Sequence, residues 1–494
     1  MAKFSFESQP KVRLLSHNQI ELLHEKALVI LEKTGVNFDS EEALQILQHH
    51  GAKVDFQSRI ARIPPQLVMS ALNSVPESIQ LYDREGKPSV FLGGNVPHFD
   101  PGSAPMNFME SDGKTVRPAE AQDLMNISRV NDALDHIALQ STSVVLHDIP
   151  SEIGDSYRLY LLLKSSPKPI ITGAFSIQGL SDMRDMLAAA VGGYDVLKEK
   201  PFAVFDICPS PPLKWTKISS QNIIDCARYG LPLETVSVPM PGAVAPATLA
   251  GCLLVHTIET LSGIVLAQCV NPGTPVVYGG APMYFDMRQS TTSLNSIETS
   301  LINTGYAQMG KYYGIPTHTY AGLSDSKLID AQAGLESAMS ATVALLAGIN
   351  VISGVGVMEF CNTFSLEKLV IDNEICGMAL RYDRGIDFSE ESLAVDLICE
   401  LGPGGDFLST DHTYKWFKKE PYLPSRVIDR RGRNGWEENG ALSAFSQAQE
   451  RVRSILETHH PRPLSPEKAK DLDQVISNIM RRHSIASLPF GPEA

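Results

Sequence analysis

Between Ile137 and Phe360 the chain repeats one unit seven times: a short apolar run, a turn and a longer helical stretch. The apolar runs begin near Ala138, Pro169, Phe202, Leu233, Pro275, Thr317 and Asn350, at spacings of 31, 33, 31, 42, 42 and 33 residues. One strand–helix–strand step takes a chain of about that length, roughly 30 residues or more. Tight turns suffice to join antiparallel strands, but parallel neighbours need a crossover, usually helical, at every step. The repeat therefore predicts an α/β fold with parallel strands, either a (β/α)8 barrel or a large doubly wound sheet. An eighth strand is not obvious, and residues 96–100 and 385–388 compete for it. In such barrels the chemistry sits at the C-terminal ends of the strands, so those ends are where candidate residues are sought.

The flanks read differently. Ser16 and Gln19 fit a capping box, and Ile20, Leu23, Ala27 and Leu31 follow at helical spacing. Ser40 is a second cap, and a third short helix follows Pro64-Pro65. From Ile79 to Glu110 short strand-like runs alternate with Gly93-Gly94 and Pro101-Gly102, which suggests hairpins capping one end of the repeat. The expected organisation is a helical N-terminal extension over 1–90 and a β-hairpin segment over 91–137. A barrel core over 138–400 and a C-terminal segment over 401–494, with two closing helices, complete it.

Composition narrows the function classes. In a chain of 494 residues, 43% apolar and 20% charged, a large core can be buried. A net charge of −14 argues against nucleic acid or an anionic membrane as partner. The seven cysteines form no C-x-x-C pair, which points to reduced thiols in a cytoplasmic protein rather than a zinc ribbon or a disulfide framework. Met1 to Ser8 shows no signal-peptide pattern. The apolar stretch 247–270 is interrupted by His256, Glu259 and Ser262, so a core helix is expected there rather than a membrane span.

Walker, dinucleotide and G-x-S-x-G signatures are all missing from the sequence, and so is H-E-x-x-H. No metal bound by this chain is expected. The strand ends do carry glycine, proline and aromatic residues: Phe205-Asp206 closes the third run, and Tyr278 to Arg288 covers the fifth and its loop. Phe205, Tyr284, Phe285, Tyr320 and Phe360, with Phe175, could form an aromatic cage for an alkylammonium ion, each contact worth about 0.5–2 kcal/mol. The same rings could simply pack. His318, in the sixth run, is either a site residue or a hydrogen-bonded core histidine.

Five segments in order carry a family likeness. They are Val238 to Gly251, Phe285-Asp286-Met287-Arg288, Ser324-Asp325-Ser326-Lys327, Asp330-Ala331-Gln332-Ala333-Gly334, and Gly402-Pro403-Gly404-Gly405-Asp406-Phe407-Leu408 followed by His412-Thr413. Together they resemble the trimethylamine methyltransferase family over nearly the whole chain. The resemblance implies a (β/α)8 TIM barrel that passes a methyl group from an amine to the cobalt of a corrinoid (cobalamin) carried by a cognate corrinoid protein. Archaeal trimethylamine enzymes of the family carry pyrrolysine in the barrel. This chain has only standard residues, and the corresponding position is expected within 322–328. That departure turns the expectation toward quaternary amines, with glycine betaine first and proline betaine or carnitine as alternatives. A quaternary-amine-binding protein without catalysis is the rival of another class.

Such a donor already carries its charge and expels a neutral amine, so no general acid is demanded and no catalytic residue is assigned. The substrate-binding candidates are Phe205, Asp206, Tyr284, Phe285, Arg288, His318, Tyr320 and Phe360. For a betaine carboxylate, Arg288, Asn295 or a helix N-terminus are candidates, and Arg288 could equally be a structural ion pair. A homo-oligomer is expected.

Overall fold

The structure is a computed structural model that describes residues 11–492. The opening segment read for a leader, Met1 to Ser8, lies outside the described residues. Eight short parallel strands organise the centre: β1 (His98–Asp100), β2 (Gln140–Ser141), β3 (Ile170–Thr172), β4 (Ala203–Ile207), β5 (Leu233–Ser237), β6 (Val276–Gly280), β7 (His318–Tyr320) and β8 (Val351–Ser353). Strands β2 to β6 pair in chain order in one all-parallel sheet. Strands β7, β8 and β1 form a second. The two sheets meet at both edges. Tyr278 of β6 bridges to Thr317 beside β7, while Ala138 N and Leu139 N donate to Phe99 O of β1 at 3.1 and 3.3 Å.

A helix follows every strand, beginning with Ala121–Asp132 after β1 and ending with Leu366–Asp383 after β8. Their starts are set locally. The side chains of Ser176, Thr216, Thr248, Ser296, Asp330 and Ser365 each accept a first-turn N–H, which satisfies a donor the helix cannot. The helix Leu249–Val270 after β5 is buried along most of its length, a core helix as its interrupting polar residues predict. Of the two rivals for the eighth strand, residues 98–100 pair with β8, and residues 385–388 adopt no strand.

One small apolar cluster lies against the inner faces of the strands. Leu139, Ile171, Val204, Val277 and Val351 meet Ile79, Leu81, Val90 and Leu92 there. The last four come from the hairpin Ile79–Tyr82 and Pro88–Leu92, which sits at the N-terminal ends of the strands: Tyr82 N donates to Pro201 O and Arg84 N to Pro167 O. Phe205, next to Val204, belongs to the larger outer core instead, because successive strand residues point to opposite faces.

The N-terminal extension holds the expected helices His17–Lys33, Glu41–His49 and Pro65–Ser74. Both bonds of the Ser16–Gln19 capping box are present. Strands Val36–Phe38, Lys53–Asp55 and Ile60–Arg62 interleave with these helices and pair with one another, and Val36–Phe38 also pairs with Lys214–Trp215, so the extension is mixed rather than helical. Gly35 makes this possible: its φ is +78°, and a Cβ there would lie 2.5 Å from Ala61 O. Helices Ala444–Thr458 and Pro466–Arg482 close the chain over the outer helices, burying Val452, Ile455, Leu472 and Ile476.

Candidate active site

A cavity of about 240 Å³ opens at the C-terminal ends of the strands. Its lining comes from all eight strands or the loops that leave them, including Ser103 after β1, Thr142 after β2, Gly173 and Phe175 after β3, Asp206 on β4 and Tyr320 on β7. Val236, Val238, Ala281, Met283 and Leu294 make much of the wall apolar, and Cys361 closes one side. The segment Glu359, Phe360, Cys361 adopts φ of 54°, 58° and 66°. Left-handed non-glycine residues each cost about 1–3 kcal/mol and cluster where a site demands them.

Beneath the cavity the strand interiors become acidic. Asp206, Glu234 and Asp100 lie close enough to perturb one another, with His318 among them. Burial and then the neighbouring Glu234 push the Asp206 carboxyl well above the ordinary range. Burial, with Asp100 adding to it, does the same to Glu234. Burial raises Asp100 to about 6, opposed by its bond from Ser353, and it pushes His318 down. These shifts all favour the neutral forms of Asp206, Glu234 and His318.

Donor counting then orders the chain of groups. Ser353 Oγ donates to Asp100 Oδ2 at 2.5 Å, and Gly102 N donates to Asp100 Oδ1 at 2.7 Å. Having used its one proton, Ser353 Oγ accepts from His318 Nε2 at 2.8 Å. In the neutral ring that leaves His318 Nδ1 as an acceptor, and Glu234 Oε1 lies against it. Asp206 has no such partner: its Oδ1 is buried and unbonded at the cavity floor. Tyr320 is fixed by donating to Ser103 O at 2.7 Å, its ring edge-on to His318 with centroids 5.4 Å apart.

Of the sequence candidates, Asp206 and Tyr320 line the cavity and His318 supports it from below. The others take different places. Phe205 is fully buried in the outer core, on the face opposite Asp206. Tyr284 and Phe285 lie on the hairpin Tyr284–Asp286 and Thr291–Ser293, so that Met283 rather than either ring reaches the cavity. The Arg288 side chain is 85% exposed and forks onto Asp286, which makes it the structural ion pair. Phe360 turns its ring to Lys327, whose Nζ lies 3.9 Å from the ring centroid, and leaves the lining to Cys361. Asn295 faces Asp325.

Sequence reasoning missed Asp100, Glu234, Ser353 and Arg158. Glu234 had a signal: an acidic residue inside the otherwise uncharged strand Leu233–Ser237.

The sequence profile of the family described as Trimethylamine methyltransferase (MTTB) matches residues 2–485. A protein named trimethylamine methyltransferase MttB from Desulfitobacterium hafniense (strain DSM 10664 / DCB-2) is 33% identical, the match covering 95% of each chain. A glycine betaine methyltransferase from Desulfitobacterium hafniense (strain Y51) is 35% identical over 93% of this chain and 95% of its own. Among solved structures, the Methanosarcina barkeri monomethylamine methyltransferase aligns with a TM-score of 0.48 at 11% identity, covering 94% of this chain and 97% of that one.

Proposed function

Because the chain belongs to the trimethylamine methyltransferase family, we propose that it moves a methyl group from a quaternary amine to the Co(I) of a corrinoid on a partner protein. Glycine betaine is the favoured donor, leaving as dimethylglycine. The observation that carries this reading is the cavity itself: apolar and aromatic walls, a floor where Asp206 Oδ1 is buried and unbonded, and an opening at the strand C-termini. In this reading the eight parallel strands form one closed (β/α)8 barrel, which the edge contacts between the two sheets support.

The chemistry asks little of acids and bases. The Co(I) electron pair forms the cobalt–carbon bond in line with the departing nitrogen, and the C–N pair stays on the amine, which leaves neutral. Alignment is what the protein contributes. A fully ionised floor would hold the cationic donor more tightly than a transition state in which its charge is fading, and would slow the step. Burial disfavours the charge on Asp206 and Glu234, which limits that penalty.

The cavity of about 240 Å³ is smaller than typical small-molecule pockets of roughly 300–1,000 Å³, which favours glycine betaine over carnitine or proline betaine. Self-association has its own support: Ile386, Phe388, Leu408 and Tyr414 are 74%, 74%, 82% and 80% exposed along one C-terminal segment. The test is methylation of Co(I) cobalamin, free or on candidate corrinoid proteins, against glycine betaine, proline betaine, carnitine and trimethylamine. Methylcobalamin formed from glycine betaine supports the reading. Formation from trimethylamine alone would overturn the donor class, and silence across the panel would overturn the activity.

A further inference from the structure

Arg158 stands out among the buried charges of the molecule. It lies on the helix Gly154–Ser165 after β2 and is only 2% exposed. Its Nη1 donates to Thr142 O at 3.0 Å and Val144 O at 3.4 Å, and its Nε donates to Gly154 O at 3.2 Å. Its Nη2 has no hydrogen-bond partner. Asp155 does not close an ion pair with it: that carboxylate accepts from Phe175 N at 2.9 Å and Ser156 N at 2.7 Å. A buried guanidinium held only by neutral carbonyls, with one nitrogen unbonded, is strongly unfavourable unless an anion completes it.

Its surroundings point toward the cavity. Thr142 and Phe175 both line that space, and the guanidinium centre lies 4.9 Å from the Phe175 ring centroid. The Phe175 ring covers the cation on the cavity side and is itself 61% exposed, so little packing opposes its turning aside. The Tyr320 phenol, on the cavity wall, is near enough for the two groups to sense each other's charge. Asp206 lies two strands along from Thr142, so the cavity has an acidic floor at one place and a hidden cation at another.

We propose that Arg158 binds a carboxylate carried by the substrate, and that the cavity is built for a zwitterion with a quaternary ammonium and a carboxylate on a short arm. This inference rests on the quaternary-amine reading above and narrows it. With Nη1 and Nε held by backbone carbonyls, Nη2 is the nitrogen left to meet the carboxylate, as a charge-assisted donor. Trimethylamine and tetramethylammonium would leave Arg158 unpaired.

The experiment is calorimetric binding to the full chain with glycine betaine, its methyl ester and tetramethylammonium. Wild-type protein is expected to bind glycine betaine at least tenfold more tightly than either compound lacking the carboxylate, a comparison that needs no variant. Arg158→Gln should weaken glycine betaine at least tenfold and leave tetramethylammonium within about twofold, and Arg158→Lys should restore part of the loss. Equal affinity of the wild type for acid and ester overturns the Arg158 assignment while the cation cavity stands. Equal weakening of both ligands by Arg158→Gln in a protein that melts as the wild type does also overturns it. A wild type that binds none of the three overturns the quaternary-amine reading itself.

Discussion

Cation binding to this cavity should release a proton, and Asp206 is the group that should lose it. Its carboxyl faces Glu234, Asp100, His318, Cys208 and Tyr320, and burial above all pushes its pKa well above the ordinary range. A quaternary ammonium placed within about 240 Å³ of space lies close to the floor. At a separation of about 5 Å and an effective dielectric of about 20, the attraction between full charges is about 3.3 kcal/mol, or roughly 200-fold in affinity. Solvent on the open side reduces this toward tenfold. The sign is fixed: the ionised carboxylate binds the cation better, so affinity for tetramethylammonium rises with pH until Asp206 is ionised in the free protein, and levels off beyond. Calorimetry in buffers of different ionisation enthalpy reads the released proton directly. Asp206→Asn should flatten the dependence to the smaller share Glu234 contributes from below the floor. A wild type whose affinity is unchanged between pH 6 and 9 with no proton release, or a variant with the same slope, would refute the reasoning.

Three further perturbations follow from the packing. Leu81→Ala in the hairpin beneath the strands removes a fully buried side chain and should lower stability by about 2–5 kcal/mol in urea unfolding, with methyl transfer by the folded fraction unchanged. Gly279→Ala would place a Cβ 2.6 Å from Glu234 Oε1. The carboxyl must move off His318, and methyl transfer should fall at least tenfold while the far-UV spectrum stays native. For Asp100, raised to about 6, the folded state keeps its proton while the unfolded state loses it as pH climbs from about 4 to 6. Its contribution is therefore fully present below pH 4 and lost above 6, so Asp100→Asn should melt higher relative to wild type at pH 7 than at pH 4. An equal difference at both pH values would remove Asp100 from that role.

The strand repeat was legible because each step carries its own apolar run and capped helix. The missing eighth strand was not, since His98–Asp100 is three residues long, carries one apolar side chain, and is separated from its helix by a long loop with its own hairpin. Site residues divided in the same way. Asp206 and Tyr320 were visible as polar or aromatic residues at strand ends, but Phe205 and Asp206 point to opposite faces, and only the packing of Val204 against the hairpin fixes which one faces in. Arg158 gave no local signal, because an arginine on a helix after a strand reads as a surface residue until its neighbours are known. Arg288 offered the opposite illusion, a charge in a promising loop whose partner, Asp286, is two residues away.

The stopper made by Ile79, Leu81, Val90 and Leu92 turns the cavity into a cul-de-sac. A channel open at both ends would let the amine arrive from one side while the corrinoid protein waits at the other. Here donor, demethylated product and cobalt must all share a single doorway. On the proposed activity the expected traffic is sequential, with the amine entering before the corrinoid protein seats over the opening and the spent amine leaving after it. Excess corrinoid protein added before the amine should then act as its own inhibitor, slowing the turnover it is there to complete.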